Sequence, residues 1–282
     1  MFEWLTEPFS FAFMQRGLAA ALVVGTVCPI IGCFVVLRGM AFLGDAMAHA
    51  ILPGVAVAYL LKGDLTVGAL AAALVTALGI SAFSRRGGVK EDTAIGILFS
   101  AALALGVALI SSMRSYAVDL SHILFGNLLG VSDSSLLMTA GIGLVVCCVV
   151  LALYRQFVIV SFDPVLAKTL RLPVDGLRAL LLLLLALTIV VSIQSVGVGL
   201  VSALLVTPAA AAYLFVRRLG AMMALAAVFG GLSSLAGLYL SYYANIASGS
   251  AIVLVATSFF LAAWLAAPRK GLLARRFGGK KD

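Results

Sequence analysis

Gly44-Asp45-Ala46-Met47-Ala48-His49-Ala50-Ile51-Leu52-Pro53-Gly54, with Arg38 a short way upstream, sets a carboxylate and an imidazole inside a chain that otherwise keeps charge out of its apolar segments. If the stretch is helical, Asp45 and His49 are one i, i+4 step apart, so their side chains share a face and can converge on one ligand. Pro53, four residues further on, has no N–H to give to the carbonyl of His49, so a kink and a third oxygen on about the same face are expected. A carboxylate, a neutral imidazole and a bare carbonyl suit a borderline divalent cation such as zinc or manganese better than an organic solute. Gly44, Ala46, Ala48, Ala50 and Gly54 leave space for a neighbouring helix or a second subunit to come close.

The surroundings of that stretch fix its setting. Of 282 residues, 63% are hydrophobic and 11% charged, and the mean hydropathy is +1.20, far from the composition of a soluble domain. The apolar residues fall in repeated runs of about 20, the length of a helix that crosses a bilayer. The expected fold is therefore all-α: a polytopic membrane protein of eight or nine transmembrane helices in one domain, residues 1–282. An outer-membrane barrel would show short strands of alternating polarity, which the sequence lacks. The net charge of +8 gathers between the runs and at the C-terminus; it reports orientation in the membrane, not a nucleic-acid partner. Cys28, Cys33, Cys147 and Cys148 lie within apolar runs without a CxxC pair, which points to packing. The aromatic, mildly acidic stretch 1–15 reads as an interfacial segment and not as a cleaved signal.

Membrane spans are expected between residues 16 and 267: 16–37, the Asp45/His49 run continuing to residue 61, then 65–83, 94–112, 136–153, 177–193, a seventh ending at Arg217-Arg218, 221–243 and 246–267. Nine spans with the N-terminus outside place Arg85, Arg86 and Lys90, the segment 155–178, Arg217-Arg218 and the basic tail 268–282 all in the cytoplasm. Eight spans follow if the runs flanking Asp45 are divided differently. Glu91 and Asp92 open a helix at its positive end. Asp119 and His122, an i, i+3 pair in a stretch too polar and short to span, are a second candidate metal contact. Within 161–176, Asp163 before Pro164 starts a short helix that Pro173 ends, and an ordered helix between two spans needs something to dock on. Thr207-Pro208 leaves the carbonyl of Leu204 without its helical partner, so a second kink is expected at Pro208.

These residues carry a resemblance. Arg38 followed by Gly44-Asp45-Ala46-Met47-Ala48-His49-Ala50-Ile51-Leu52-Pro53-Gly54 resembles the signature of the membrane permeases of zinc and manganese uptake systems in the ABC transporter superfamily. Three further stretches match in order: Glu91-Asp92-Thr93-Ala94-Ile95-Gly96-Ile97, His122-Ile123-Leu124-Phe125-Gly126-Asn127, and the run from Gly199 to Ala212. The resemblance implies a type II importer-like permease in a bacterial cytoplasmic (inner) membrane, C-terminus inside, working as a homodimer with the pathway at or near the dimer interface. It implies two copies of a separate cytoplasmic ATPase subunit and an extracytoplasmic metal-binding protein. Asp45 and His49 take the positions of the metal pathway, and Phe162, Asp163, Pro164, Leu166, Ala167 and Leu170 fall where such permeases dock the ATPase. No G-x-x-x-x-G-K-S/T motif occurs, so ATP is used by the partner and the chain is not itself an enzyme. No cofactor is held permanently; the divalent metal (zinc, manganese or iron) is cargo.

Two rivals remain at this stage. An intramembrane metalloprotease would need His-Glu-x-x-His, and the chain has two histidines in all, without that motif. A self-sufficient proton-coupled carrier with Asp45 as its proton site would run without ATP.

Overall fold

A computed structural model of the chain describes residues 7–86, 88–112 and 128–267, and all of its regular structure is helical. After a short turn at Glu7–Ser10 come α1 (Ala12–Leu37), α2 (Leu43–Ala50), α3 (Leu52–Leu60), α4 (Leu65–Arg86) and α5 (Glu91–Ser111). Then follow α6 (Asp133–Ala152), α7 (Tyr154–Phe162), α8 (Pro164–Thr169), α9 (Val174–Val196), α10 (Val198–Phe215), α11 (Leu219–Ala244) and α12 (Ser248–Ala266). Among the described residues, nine stretches are long and apolar enough to cross a membrane, with α2 and α3 together making one of them. This bears out the nine-span division.

Local chemistry sets several ends. Asp64 accepts from the N–H groups of Thr66 and Val67 at the start of α4, and Ser132 accepts from the N–H of Ser135 at the start of α6; both satisfy amides that a first helical turn leaves without partners. Asn245, in the left-handed region at φ 52°, ends α11. Gly197 at φ 85° turns the chain from α9 into α10, a conformation that a side chain would disfavour.

Helices packed in lipid gain no hydrophobic advantage over lipid contact, so close backbone approach supplies much of their attraction. α1 lies at the centre and packs on α6, α9, α10 and α11; α10, α11 and α12 pack on one another. A second group is formed by α3, α4 and α5, with α9 against α4. Small residues mark the crossings. A Cβ on Gly230 of α11 would strike the carbonyl of Gly25 in α1, and one on Gly32 of α1 would strike the carbonyl of Leu205 in α10. Gly54 of α3 and Gly68 of α4 meet carbonyl against Cα in the same way. Hydrogen bonds between helices add direction: Ser234 Oγ donates to the carbonyl of Ala21 at 2.8 Å, and the hydroxyls of Thr139 and Ser195 join α6 to α9 at 2.9 Å.

One expected detail needs correction. Pro173 does not end the helix after Asp163: α8 stops at Thr169, Arg171 turns at φ 55°, and Pro173 precedes the first turn of α9. α10 runs without a break from Val198 to Phe215 through Pro208, because a proline removes one N–H from the ladder while neighbouring turns and helices hold the rest.

Candidate metal site and its surroundings

α2 has eight residues and two faces. Leu43, Ala46, Met47 and Ala50 are buried against the protein, while Asp45 and His49 stand on the other side with 39% and 29% of their side chains exposed. The i, i+4 reading holds: Asp45 Oδ1 and His49 Nε2 are 3.8 Å apart. At that distance they do not hydrogen-bond each other, so each keeps its lone pairs available for an ion between them. Among the described residues, no third His, Cys, Asp or Glu joins the pair.

The helix ends at Ala50 and the chain turns at Ile51. In a continuous helix the Pro53 ring would press on the His49 carbonyl; here the chain breaks at Ile51 and Pro53 enters the first turn of α3, where a missing N–H costs nothing. The candidate side-chain ligands of the chain, among the described residues, are one carboxylate and one imidazole.

Neighbouring helices shape the pair. The ring of Phe99, on α5, lies 6.0 Å from the His49 ring, and Phe42 meets Phe99 edge-on at 6.0 Å. Gly44 faces Leu205 of α10, and Leu52 and Pro53 fit over Gly106 of α5, which explains the small residues around the site. α2 touches α5 and α4 of the second group, α10 of the first, and α9, so it lies between the two helix groups. Above the helix break, α3, α4, α6 and α9 enclose a cavity of ≈ 430 Å³ whose wall includes Ile51, Val55, Thr66, Ser132, Ser135 and Gln194. The sequence had no signal for Phe99 or for this cavity.

At the opposite end, Arg38 closes α1 with its Nη1 4.0 Å from Oε1 of Glu91. Burial pushes the Arg38 pKa down from its ordinary value, Glu91 opposes that and Arg178 adds to it; an arginine nonetheless stays charged. Beyond α7, the carboxylate of Asp163 accepts from the N–H groups of Val165 and Leu166 at 3.0 and 2.9 Å. It caps α8, whose Pro164 sits in the first turn. Phe162, Val165, Leu166 and Leu170 are exposed at 60%, 75%, 46% and 53%, whereas Ala167 is fully buried. These large apolar side chains face outward on and beside the capped α8. Asp119 and His122 lie outside the described residues, as does the basic tail.

Nine apolar helices among the described residues, one of them carrying a carboxylate–imidazole pair, define a multi-pass membrane protein. The chain belongs to the ABC 3 transport family, whose profile matches residues 10–267. It is 48% identical over 275 residues to the manganese transport system membrane protein MntC of Halalkalibacterium halodurans, covering 98% of this chain and 94% of that one. It is 40% identical to the chelated iron transport system membrane protein YfeD of Yersinia pestis, covering 93% and 88% of the two chains. The solved structure of PsaBC from Streptococcus pneumoniae in complex with Fab superposes with a TM-score of 0.84 at 43% identity, covering 97% of this chain and 99% of that one. The protein is the permease of an ABC transporter, and the resemblance read from its motifs is confirmed at that level.

Proposed function

We propose that the chain imports a divalent transition metal, manganese foremost, as a homodimer driven by a separate ATPase and fed by an extracytoplasmic binding protein. One observation carries the reading: Asp45 and His49, 3.8 Å apart and not hydrogen-bonded to each other, stand half-exposed on a broken apolar helix. A carboxylate facing lipid is costly, so this face needs a second copy of the chain or a water-filled path over it. Two copies would bring two carboxylates and two imidazoles, a mixed oxygen and nitrogen set that holds a metal without trapping it. The similarity to MntC at 48% identity favours manganese. The chemistry of one Asp and one His accepts zinc and ferrous iron as well, and the similarity to YfeD keeps iron in view.

The ≈ 430 Å³ cavity above the break would serve as the outer vestibule. The exposed Phe162, Leu166 and Leu170 on and beside the capped α8 would seat the ATPase. With nine spans, that assignment puts the basic segments and the C-terminus in the cytoplasm of a bacterial inner membrane.

The test is manganese uptake in proteoliposomes holding the permease, its ATPase and its binding protein. Asp45→Ala and His49→Ala are each expected to abolish uptake while the complex still assembles and hydrolyses ATP. Survival of uptake in both variants would overturn the paired-ligand pathway, and uptake without the ATPase would favour the proton-coupled carrier.

A further inference from the structure

The end of the molecule away from the vestibule holds a second charged assembly that the metal pathway does not use. The Arg38 side chain is only 9% exposed, its Nη1 lies 4.0 Å from Glu91 and has no hydrogen-bond partner. Glu91, the first residue of α5, lines a cavity of ≈ 280 Å³ whose remaining wall is Ser81 and Ser84 of α4, Lys168 of α8, and Asp175 and Arg178 of α9. Glu91 is therefore paired with Arg38 at the end of α1 and shares its cavity with Lys168 of α8. At 4.0 Å the Arg38 contact is an ion pair without a hydrogen bond, and a buried N–H left unpaired is expensive. Such a contact can be remade, and the cavity gives the side chains room to do so.

Two helices that bear on the site and on the outward apolar row border this cavity. The helix of Glu91, α5, carries Phe99 against the imidazole of His49. The helix of Lys168, α8, carries the exposed apolar row beside Asp163. We infer that Glu91 exchanges partners, held by Arg38 in the arrangement seen here and by Lys168 when α8 is pressed toward the protein. Arg38, Glu91 and Lys168 are then positioning residues that pass a movement of α8 through α5 to His49. This rests on the docking role proposed above for α8.

The experiment measures ATP hydrolysed per manganese ion taken up by the full reconstituted complex, with Asp45→Ala run in parallel. Glu91→Gln and Lys168→Gln are expected to raise that ratio on the order of tenfold, the size of an ordinary coupling between sites, while manganese binding by the purified complex stays within about twofold of wild type. An unchanged ratio in Lys168→Gln overturns the inference, and because that side chain is exposed on the protein surface the variant remains informative even if the Glu91 variants do not assemble. Loss of the ATPase subunit from Lys168→Gln also overturns it, by placing the lysine in docking. Continued uptake by Asp45→Ala would instead strike the underlying transport reading, a result distinct from either.

Discussion

Replacing Gly54 by alanine isolates how much the close approach of α3 to α4 matters. A Cβ built there strikes the carbonyl oxygen of Gly68 and lies 2.6 Å from the Cβ of Ala72. Carbon atoms rest about 3.5–4.0 Å apart, so the two helices must separate by roughly 1 Å. Overpacking of this kind costs about 1–3 kcal/mol, and the gain in helix propensity from Gly to Ala returns only about 1 kcal/mol. The clash wins because both sides of the contact are backbone or Cβ atoms, which have no rotamer to escape into. Gly141 of α6 is the matched control: nothing lies within 4 Å of its added Cβ, leaving the propensity gain of about 1 kcal/mol unopposed.

The two variants make the same chemical change with opposite expected signs. Apparent melting temperatures of the detergent-purified protein should fall for Gly54→Ala and hold or rise for Gly141→Ala, with a separation of several degrees, since about 1 kcal/mol moves a domain of 150–250 residues by roughly 2–4 °C. Displacement of α3 also moves the break at Ile51, so Gly54→Ala should weaken manganese uptake as well. If Gly54→Ala melts with Gly141→Ala, the backbone contact read from the structure is not what holds these helices together.

Phe99→Leu keeps apolar bulk but removes the ring beside His49; it should raise the manganese concentration for half-maximal uptake about tenfold with the maximal rate little changed, as loss of a group that orients a ligand does, and an unaltered concentration dependence would remove Phe99 from the site. Asp163→Ala strips α8 of its cap, a loss of about 1 kcal/mol that Asn would largely avoid, so co-purification of the ATPase should drop for Ala and persist for Asn; equal recovery from both would show that the cap does not matter for docking.

The features readable from sequence are those that one helix contains by itself. Asp45 and His49 stand out because charge is rare in an apolar run, and the 3.6-residue period alone puts them on one face. The cap at Asp163 and the start of α5 at Glu91 are likewise local. The break at Ile51 is not local in this sense: a proline offers the chain a freed carbonyl in a continuous helix or a new helix that starts near it, and the choice depends on how Leu52 and Pro53 fit over Gly106 of α5. Phe99 and the contact between Arg38 and Glu91 were invisible for the same reason: periodicity says which face of a helix is buried, not which helix covers it. Pro173 was assigned to the end of one helix when it begins the next, since the residue looks the same from either side.

The break at Ile51 has a mechanical meaning that a continuous span would lack. An eight-residue helix has too few internal hydrogen bonds to hold its own shape, so the placement of α2 is dictated by what it touches: α4, α5, α9 and α10. Were α2 and α3 one rigid rod, the metal pair would move only with the whole span, and α3 is fastened to α4 by the contact of Gly54 with Gly68. Separation at Ile51 lets Asp45 and His49 follow the relative position of the two helix groups while α3 stays with its own. A site of two ligands per chain is suited to this, because neither the carboxylate nor the imidazole is tied by a hydrogen bond to the other. On the proposed reading, an ion bound across such a site would be released when the groups shift, without any strong protein contact having to break first.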